Sequence, residues 1–255
     1  MRQYHIQLEE GEIGEYVLMP GDPGRCERIA QHFTDAVHVR SNREFTTYTG
    51  TLDGVKVSAV STGIGGPSTA IAAEELFTIG ARTMIRVGTC GGLTDSLRLG
   101  DAVLVQAAIR NEGTSHQYVP AEFPAVADFD VLLALQHAAQ EQGLPHELGI
   151  VQCNDAIYSE IAPETVPVES MIRAKLEAWK RAGSIAAEME SSTLFVIGAV
   201  RGFRAGAVMA VVNTAQSGDG TLPGGVELPI DVAIRVAVGG VKTLIAQDAA
   251  RLAAR

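Results

Sequence analysis

Apolar, β-branched runs alternate along this chain with segments whose apolar residues recur at helical spacing. EYVLMP, residues 15–20, precedes the helix-like PGRCERIAQHF, residues 23–33, and VKVSAVST, residues 55–62, precedes GPSTAIAAEELFTIG, residues 66–80. Strands that alternate with helices at this spacing are typical of an α/β fold with a parallel or mixed sheet.

The same alternation continues to the C-terminus. Further strands are predicted at residues 83–89, 100–110, 146–154 and 204–213, and SIAAEME, residues 184–190, leads into the apolar SSTLFVIGAVRG. Further helices are predicted at residues 128–143, at residues 170–183 with Gly183 at the C-cap, and along the C-terminal segment. Residues 111–128 and 158–169 are predicted to be long irregular loops, of the kind that binds ligands. No linker-like segment interrupts the chain, which predicts a single domain over residues 1–255.

Composition narrows the range of partners. The formal net charge is -10, so a nucleic-acid partner is not expected, because phosphate backbones require a basic face. Cys26, Cys90 and Cys153 are scattered, which suggests neither a disulfide framework nor a zinc site. Arg201 and Arg204 interrupt the most apolar window, and the acidic N-terminal segment does not resemble a signal peptide. We expect a soluble, cytoplasmic protein with no membrane partner.

Three glycine-rich turns follow predicted strands. They are PGDPGR at residues 20–25, STGIGGPS at residues 61–68 and RVGTCGG at residues 86–92. Glycine lets backbone N–H groups approach an anion, and arginine offers a planar fork that matches phosphate oxygens. Each turn alone is also explained as a structural turn. The complete G-x-G-x-x-G and Walker patterns are absent, which argues against dinucleotide and P-loop sites.

Two carboxylates and one arginine stand in otherwise apolar sequence. Arg86 lies inside the strand MIRVGT, where a buried charge requires a partner, either a core carboxylate or a bound anion. Glu188 and Glu190 are two residues apart, so both face one side of an extended segment. Such a carboxylate suits the two hydroxyls of a ribose, although Glu190 also fits an acid at a helix N-terminus.

The motifs together resemble the uridine phosphorylases of the hexameric nucleoside phosphorylase family. They are MPGDPGRCERIA, SNREFTTYTG, STGIGGPSTAIAAEEL, IRVGTCGGL, AEFPAVADF and AAEMESSTLF, and the resemblance runs from about residue 4 to residue 216. It implies one α/β domain with a central mixed, barrel-like sheet flanked by helices. It also implies a hexamer, a trimer of dimers with shared sites, that converts a nucleoside and phosphate into free base and α-ribose 1-phosphate.

The resemblance also assigns site residues. It places phosphate at Gly21, Arg25, Arg43, Arg86 and Thr89, and ribose at His5, Thr89, Glu188, Met189 and Glu190, with Arg43 and His5 contributed by a neighbouring subunit. It makes Arg86, Glu190 and Arg25 the catalytic residues. It places the base at Gly91, Ile157, Val212 and Asn213. Glu44, Ile64 and Ser68 match a monovalent-cation site for K⁺, and no organic cofactor is implied.

The base-reading segment departs from this pattern. Ile161 and Pro163 stand where uridine phosphorylases carry a Gln-x-Arg, and Ile157 replaces an aromatic residue. Thr214 replaces an arginine, and Asn213 stands where purine-specific members carry an aspartate. Either Glu160 or Glu164 substitutes for the missing readers, or the base differs. We expect uridine; a purine nucleoside phosphorylase, a nucleosidase and a non-catalytic nucleoside- or phosphate-binding protein remain as alternatives.

Overall fold

A ten-stranded mixed sheet dominates the computed structural model, which describes residues 1–214 and 229–254. The motif VVNTAQ ends at Ala215 and Gln216, so its end, and part of the predicted 1–255 domain, lie outside the described residues. The strands are β1 (Tyr16–Pro20), β2 (Thr34–Asn42), β3 (Phe45–Leu52), β4 (Val55–Val60), β5 (Thr83–Gly92), β6 (Ala102–Asn111), β7 (Ala125–Val126), β8 (His146–Asn154), β9 (Ser184–Glu188) and β10 (Arg204–Thr214).

Helices cover both faces of this sheet. In the described residues they are α1 (Gly24–Ala30), α2 (Gly66–Thr78), α3 (Phe129–Glu141), α4 (Ile157–Ile161), α5 (Glu169–Arg181), α6 (Ser191–Arg201) and α7 (Asp231–Ala253). Sequence-local signals explain several ends. Pro67 lies in the first turn of α2, the Asp128 carboxylate accepts a hydrogen bond from the Val131 N–H at the start of α3, and Gly183 follows α5 at a φ of +94°.

Five strands close into a barrel. β10 pairs in parallel with β5 and antiparallel with β6, β6 and β8 are parallel, β8 and β9 are parallel, and β9 returns antiparallel to β5. The predicted α/β class with a mixed, barrel-like sheet is therefore confirmed. No helix within the described ranges combines the length and apolarity needed to cross a bilayer.

Four strands extend the sheet outside the barrel. β1 pairs in parallel with both β5 and β4, and β4, β3 and β2 continue as antiparallel neighbours. The hairpin of β2 and β3 was not predicted. β2 is an edge strand, exposed over much of its length, and two register shifts interrupt its pairing with β3. A strand with no buried face has no alternating apolar pattern to reveal it.

The apolar core lies in two layers, one on each face of the sheet. Residues of α2 and α6 form one layer, and residues of α1, α3 and α7 form the other. Along β1, Val17 and Met19 belong to the first layer and Tyr16 and Leu18 to the second. A strand buried on both faces is apolar at every position, which is why EYVLMP is so clear a signal.

The two segments predicted to be irregular loops are partly helical. Residues 111–128 include a short 3-10 helix, Ser115–Gln117, and strand β7. Residues 158–169 include most of α4 and the 3-10 helix Pro163–Thr165, and α5 begins at Glu169. These helices are only three to five residues long, too short for helical periodicity to show in the sequence.

Candidate active site

A cavity of about 890 Å³ opens where the carboxyl ends of β1, β4 and β5 meet. Parallel neighbours end at one edge of a sheet, so the glycine turns that follow β1 and β4 converge there with the end of β5. The third glycine segment, residues 86–92, was predicted to be a turn after a strand, but it forms the second half of β5 itself. Most of the predicted site residues line this cavity: Gly21, Arg25, Glu44, Ile64, Ser68, Arg86, Thr89, Gly91, Ile157, Glu188, Met189, Glu190, Val212 and Asn213. The structure brings these residues together, and their individual roles stay predictions.

The first two glycine turns are in close contact. A Cβ placed on Gly21 would lie 3.2 Å from the carbonyl oxygen of Gly63 and 3.8 Å from Nη1 of Arg86. At Gly63, where φ is +69°, a Cβ would lie 2.6 Å from Cγ of Glu44. Glycine at both positions thus allows two backbone turns and one guanidinium to share a small space.

Arg86 is the buried cation at the centre of this edge. Its side chain is 7% exposed, and its neighbours in β5, Ile85 and Val87, pack in the opposite core layer. Nε donates to Oε2 of Glu188 at 2.8 Å, and Nη2 pairs with Oε2 of Glu190. The ion-pair alternative therefore holds in this structure. Nη1 nevertheless has no hydrogen-bond partner among the described residues, so one donor of this buried guanidinium is left unsatisfied.

Gly88 creates the space that this arginine needs. A Cβ at this position would lie 2.8 Å from Nη2 of Arg86 and 2.5 Å from Sδ of Met209. Real side chains do not approach so closely, so any larger residue would displace the guanidinium. Because Gly88 has no side chain, the guanidinium of Arg86 can lie against strand β5.

Glu188, at the end of β9, is held as an anion. Its carboxylate accepts hydrogen bonds from Arg86, from Sγ of Cys153 and from the backbone N–H groups of Glu190 and Ser191. Burial alone would raise the pKa of Glu188, but Arg86 and these donors lower it below its usual value. With both oxygens occupied, Glu188 holds Arg86 in place rather than facing the cavity with free acceptors.

Glu190 is in a different electrostatic environment. Burial and the neighbouring Glu188 raise the pKa of Glu190 to about 7, although Arg86 opposes the shift. Its Oε1 accepts the backbone N–H of Gly65, at the N-cap of α2, at 2.6 Å. Glu190 also occupies the N-cap position of α6, where its backbone carbonyl accepts the N–H of Leu194 but its side chain makes no capping hydrogen bond. The acid thus lies at a helix N-terminus and also lines the cavity, and its role towards ribose hydroxyls stays a prediction.

Arg25 adds a second cation to the same wall. It lies in the first turn of α1, its side chain is 15% exposed, and Nε is 3.8 Å from the Asp22 carboxylate. Burial lowers the pKa of Arg25, Asp22 counteracts this effect, and Arg86 adds to it as a like charge. Two guanidinium groups of like charge therefore line the same cavity, and their predicted role in holding phosphate stays a prediction.

Two predicted residues lie outside the cavity. His5 pairs with Glu75 through Nδ1 at 2.6 Å, and its carbonyl accepts a hydrogen bond from Asn42. Arg43, at the turn between β2 and β3, has a φ of +54° and lies 5.9 Å from the ring centroid of Tyr4. The two residues are therefore close to each other on one surface. This placement is compatible with the prediction that both act in the site of a neighbouring subunit, and the prediction stays untested.

The three residues of the predicted cation site meet at the cavity rim. Oγ of Ser68 lies within hydrogen-bonding distance of Oε1 of Glu44, at 2.7 Å, and of the carbonyl of Thr62, and its single proton serves one of these acceptors at a time. The bond from Ser68 lowers the pKa of Glu44, so this carboxylate is ionised at neutral pH. No cluster of three or more His, Cys, Asp or Glu side chains suited to a metal occurs in residues 1–214 and 229–254. Binding of K⁺ here therefore stays a prediction.

The predicted base region lies where the neighbouring strands β5 and β10 end, with the start of α4 at the same cavity. Asn213 on β10 is the register partner of Gly91 on β5, and a bulge displaces Val212 between Val211 and Asn213. Ile157 is the first residue of α4. Of the two carboxylates considered as substitutes, Glu160 lines the cavity, whereas Glu164 is exposed and pairs with Arg173.

Gln152 and Asn154 are cavity residues that sequence analysis missed. They lie two apart on β8, are 0% and 5% exposed, and both donate to Oε2 of Glu160, at 2.7 and 2.9 Å. Polar residues at alternate positions in an otherwise buried strand, as in VQCN, share one face and would have indicated a polar pocket. Cys153 between them bonds to Glu188 instead.

Comparison with known proteins agrees with this geometry. A family model described as "Phosphorylase superfamily" matches residues 15–239. The uridine phosphorylase of Treponema pallidum is 50% identical over 250 residues, which cover 98% of this chain and 96% of that protein. The uridine phosphorylase of Thermococcus kodakarensis is 43% identical over 82% of this chain and 76% of its own length. A guanosine phosphorylase of Halorubrum lacusprofundi is 37% identical over 95% of this chain and 99% of its own length.

Proposed function

The chain belongs to the phosphorylase superfamily, and from this premise we propose that it cleaves the N-glycosidic bond of uridine with inorganic phosphate. The C1′–N bond breaks, a C1′–O bond to phosphate forms, and the base leaves with the electron pair and takes up a proton. The products are uracil and α-ribose 1-phosphate. The enzyme is thus a pentosyltransferase whose substrates are a nucleoside and phosphate.

The observation that carries this proposal is one wall of the cavity, where two arginines adjoin two glycine turns. Arg25 and the unpartnered Nη1 of Arg86 offer charge, and Gly21 offers a backbone N–H close to Arg86. Holding phosphate there converts a bimolecular encounter into an oriented one. A hydrolase that uses water has no need for two arginines in this position, which disfavours a nucleosidase.

Glu190 is the group proposed to hold the ribose. As C1′ separates from the base, the sugar becomes cation-like, and an anion nearby stabilises that charge. The carboxylate of Glu190 is buried, lines the cavity and is fixed by Gly65 and Arg86. In its ionised form it accepts hydrogen bonds from the ribose hydroxyls. This role requires no metal and no covalent intermediate.

The proposal extends to assembly and location. A hexamer built as a trimer of dimers would carry His5 and Arg43, which lie together on one surface, into the site of a neighbour. Three free cysteines, Cys26, Cys90 and Cys153, are compatible with the reducing cytoplasm. We also propose that K⁺ binds at Glu44, Ile64 and Ser68. We further propose that residues 1–255 form a single domain.

A purine nucleoside phosphorylase is a second candidate, because the Halorubrum relative is a guanosine phosphorylase. The position where purine-specific members carry an aspartate is Asn213 here, which speaks for uridine. Non-catalytic binding is the third alternative.

A substrate screen tests these three candidates. Purified protein is incubated with uridine, thymidine, inosine, guanosine or adenosine, with and without phosphate, and the released base is quantified by chromatography. We expect phosphate-dependent release from uridine above all others. Cleavage of inosine or guanosine with uridine untouched would assign the purine activity. Nucleoside binding by calorimetry without any product would assign a binding protein.

A further inference from the structure

Three polar side chains that belong to neither the proposed phosphate contacts nor the proposed ribose contacts form a cluster in the cavity. It consists of Gln152 and Asn154 on β8 and Glu160 on α4, all of which line the cavity. Both side-chain amides donate to the same carboxylate oxygen, Oε2 of Glu160. The carboxylate is thus fixed in orientation by two buried amides, as is typical of a recognition group rather than a mobile surface acid.

The cluster keeps unused hydrogen-bonding capacity. Among the described residues, Oε1 of Gln152 and Oδ1 of Asn154 are buried and have no partner, and no bond reaches Oε1 of Glu160. Each amide nitrogen also carries a second N–H. These two amide oxygens are covered by protein, so the polar group of the cluster that a ligand can reach is the carboxylate of Glu160, which is partly exposed and lines the cavity. The cluster therefore offers a carboxylate acceptor whose orientation is fixed by two amides, with the second N–H of the Asn154 amide beside it.

Because residues 161 and 163 lack the glutamine and arginine that read the base in the family this chain resembles, the base must be held by other groups. We propose that Glu160, positioned by Gln152 and Asn154, recognises the lactam edge of the base: the ring N–H bonds to the carboxylate and an adjacent carbonyl accepts an amide N–H. In uracil these groups are N3–H and its flanking carbonyls. Cytosine presents a lone pair at N3, which an ionised carboxylate repels.

This inference rests on the proposed function for its assignment to uridine, but free-base binding tests it without catalysis. A lactam edge occurs in uracil and also in hypoxanthine, a purine, so both serve as probes. Calorimetry is performed with uracil, 3-methyluracil, cytosine and hypoxanthine. We expect the wild-type protein to bind uracil and to discriminate at least ~10-fold against 3-methyluracil and cytosine, since a hydrogen bond to a charged group is lost. Hypoxanthine binding in preference to uracil would instead assign the lactam edge to a purine.

The matched variants are Glu160→Gln and Glu164→Gln, which remove one negative charge each from the same short segment. In Glu160→Gln, an NH₂ group must face either the two amide donors or the base N–H, so we expect uracil binding and kcat/KM for uridine to fall about 10- to 100-fold. The KM for phosphate should change less than ~3-fold, because the phosphate wall is untouched. Glu164→Gln, whose carboxylate is exposed and pairs with Arg173, should match the wild type.

The outcomes separate the two proposals. If uridine is cleaved with phosphate but Glu160→Gln keeps its affinity for uracil and its preference over cytosine, the inference is wrong and the proposed function stands. If no nucleoside is cleaved but uracil binding depends on Glu160, the proposed function fails and the inference stands. Equal wild-type affinity for uracil and 3-methyluracil, or no affinity for any of the four bases, overturns the inference without recourse to a variant.

Discussion

Replacing Arg86 with alanine should damage the fold and the activity, and the structure predicts how the two effects can be separated. Arg86 is buried and compensates two buried carboxylates, Glu188 and Glu190. Removing one partner of a buried ion pair costs about 3–5 kcal/mol, because the remaining charge stays desolvated. At roughly 2–4 °C per kcal/mol for a domain of this size, the melting temperature should fall by about 6–20 °C.

The loss of stability should depend on pH in a specific direction. Without Arg86, the pKa of both carboxylates rises above the value in the unfolded chain, because burial and mutual repulsion are no longer opposed. A group with a raised folded-state pKa binds protons more tightly in the native state, so lowering the pH stabilises the fold. The difference in melting temperature between the wild type and Arg86→Ala should therefore be largest at pH 8 and shrink towards pH 5.

The activity of Arg86→Ala should fall by at least ~100-fold in kcat/KM, through the loss of phosphate positioning. It is measured at a temperature well below the melting point of the variant, so that unfolding does not contribute. Arg82→Ala is the matched control, since Arg82 precedes the same strand but is exposed, donates to the backbone carbonyls of Phe77 and Ala81, and lies over the ring of Phe77 without pairing with a carboxylate among the described residues. Its stability and activity should stay close to those of the wild type.

Thermal melts at pH 5, 6, 7 and 8, followed by circular dichroism, provide the assay. A melting temperature within ~2 °C of the wild type at pH 8 would show that Arg86 does not compensate two buried charges. A deficit that grows as the pH falls would contradict the sign worked out above. A folded variant with near-normal turnover would remove Arg86 from the mechanism.

Three further predictions concern other groups of the site. Because burial raises the pKa of Glu190 to about 7 and the ionised form is needed, wild-type kcat/KM should rise as the pH is raised through about 7. In Glu190→Gln, kcat/KM should fall roughly 10- to 100-fold and should no longer rise in this pH range. An unchanged pH profile in the variant would exclude Glu190 from this role. Exchange of K⁺ for tetramethylammonium should slow the wild type but not Glu44→Gln, and equal slowing of both would place any cation effect elsewhere. If each site combines Glu190 of one subunit with Arg43 of its neighbour, co-expression of Arg43→Ala and Glu190→Gln chains should restore activity in about one quarter of the sites, those in which both residues are intact. Sharing would be refuted if light scattering shows a monomer and co-expression restores no activity.

The sequence predicted the elements whose side chains are buried on a regular period. EYVLMP and MIRVGT are apolar because β1 and β5 are covered on both faces, and the helix after Pro67 begins where its turn chemistry indicates. The β2–β3 hairpin was missed for two reasons: β2 is an exposed edge strand with register shifts, and the buried face of β3 carries Thr47 and Thr49 rather than a run of apolar residues. The short helices within residues 157–165 were missed for the related reason that one helical turn has no measurable period.

The site was predictable to the level of residue type but not of pairing. A charge in MIRVGT demands a partner, yet the sequence left both an anion and a carboxylate open, since only the sheet register brings Glu188 to Arg86. The sequence showed that Ile161 and Pro163 replace the Gln-x-Arg that reads the base, but it did not show which groups read the base instead. Gln152 and Asn154 meet Glu160 only because α4 folds back over the end of β8, and that contact follows from tertiary structure alone.

The central claim is that phosphate, held beside Arg25 and Arg86, attacks the ribose of uridine. The most direct test is to measure uracil and α-ribose 1-phosphate together as the phosphate concentration is raised from zero. The account predicts no uracil without phosphate, saturation as phosphate increases, and one α-ribose 1-phosphate for each uracil. Uracil release that is independent of phosphate and accompanied by free ribose would contradict it, as would the absence of any product from uridine.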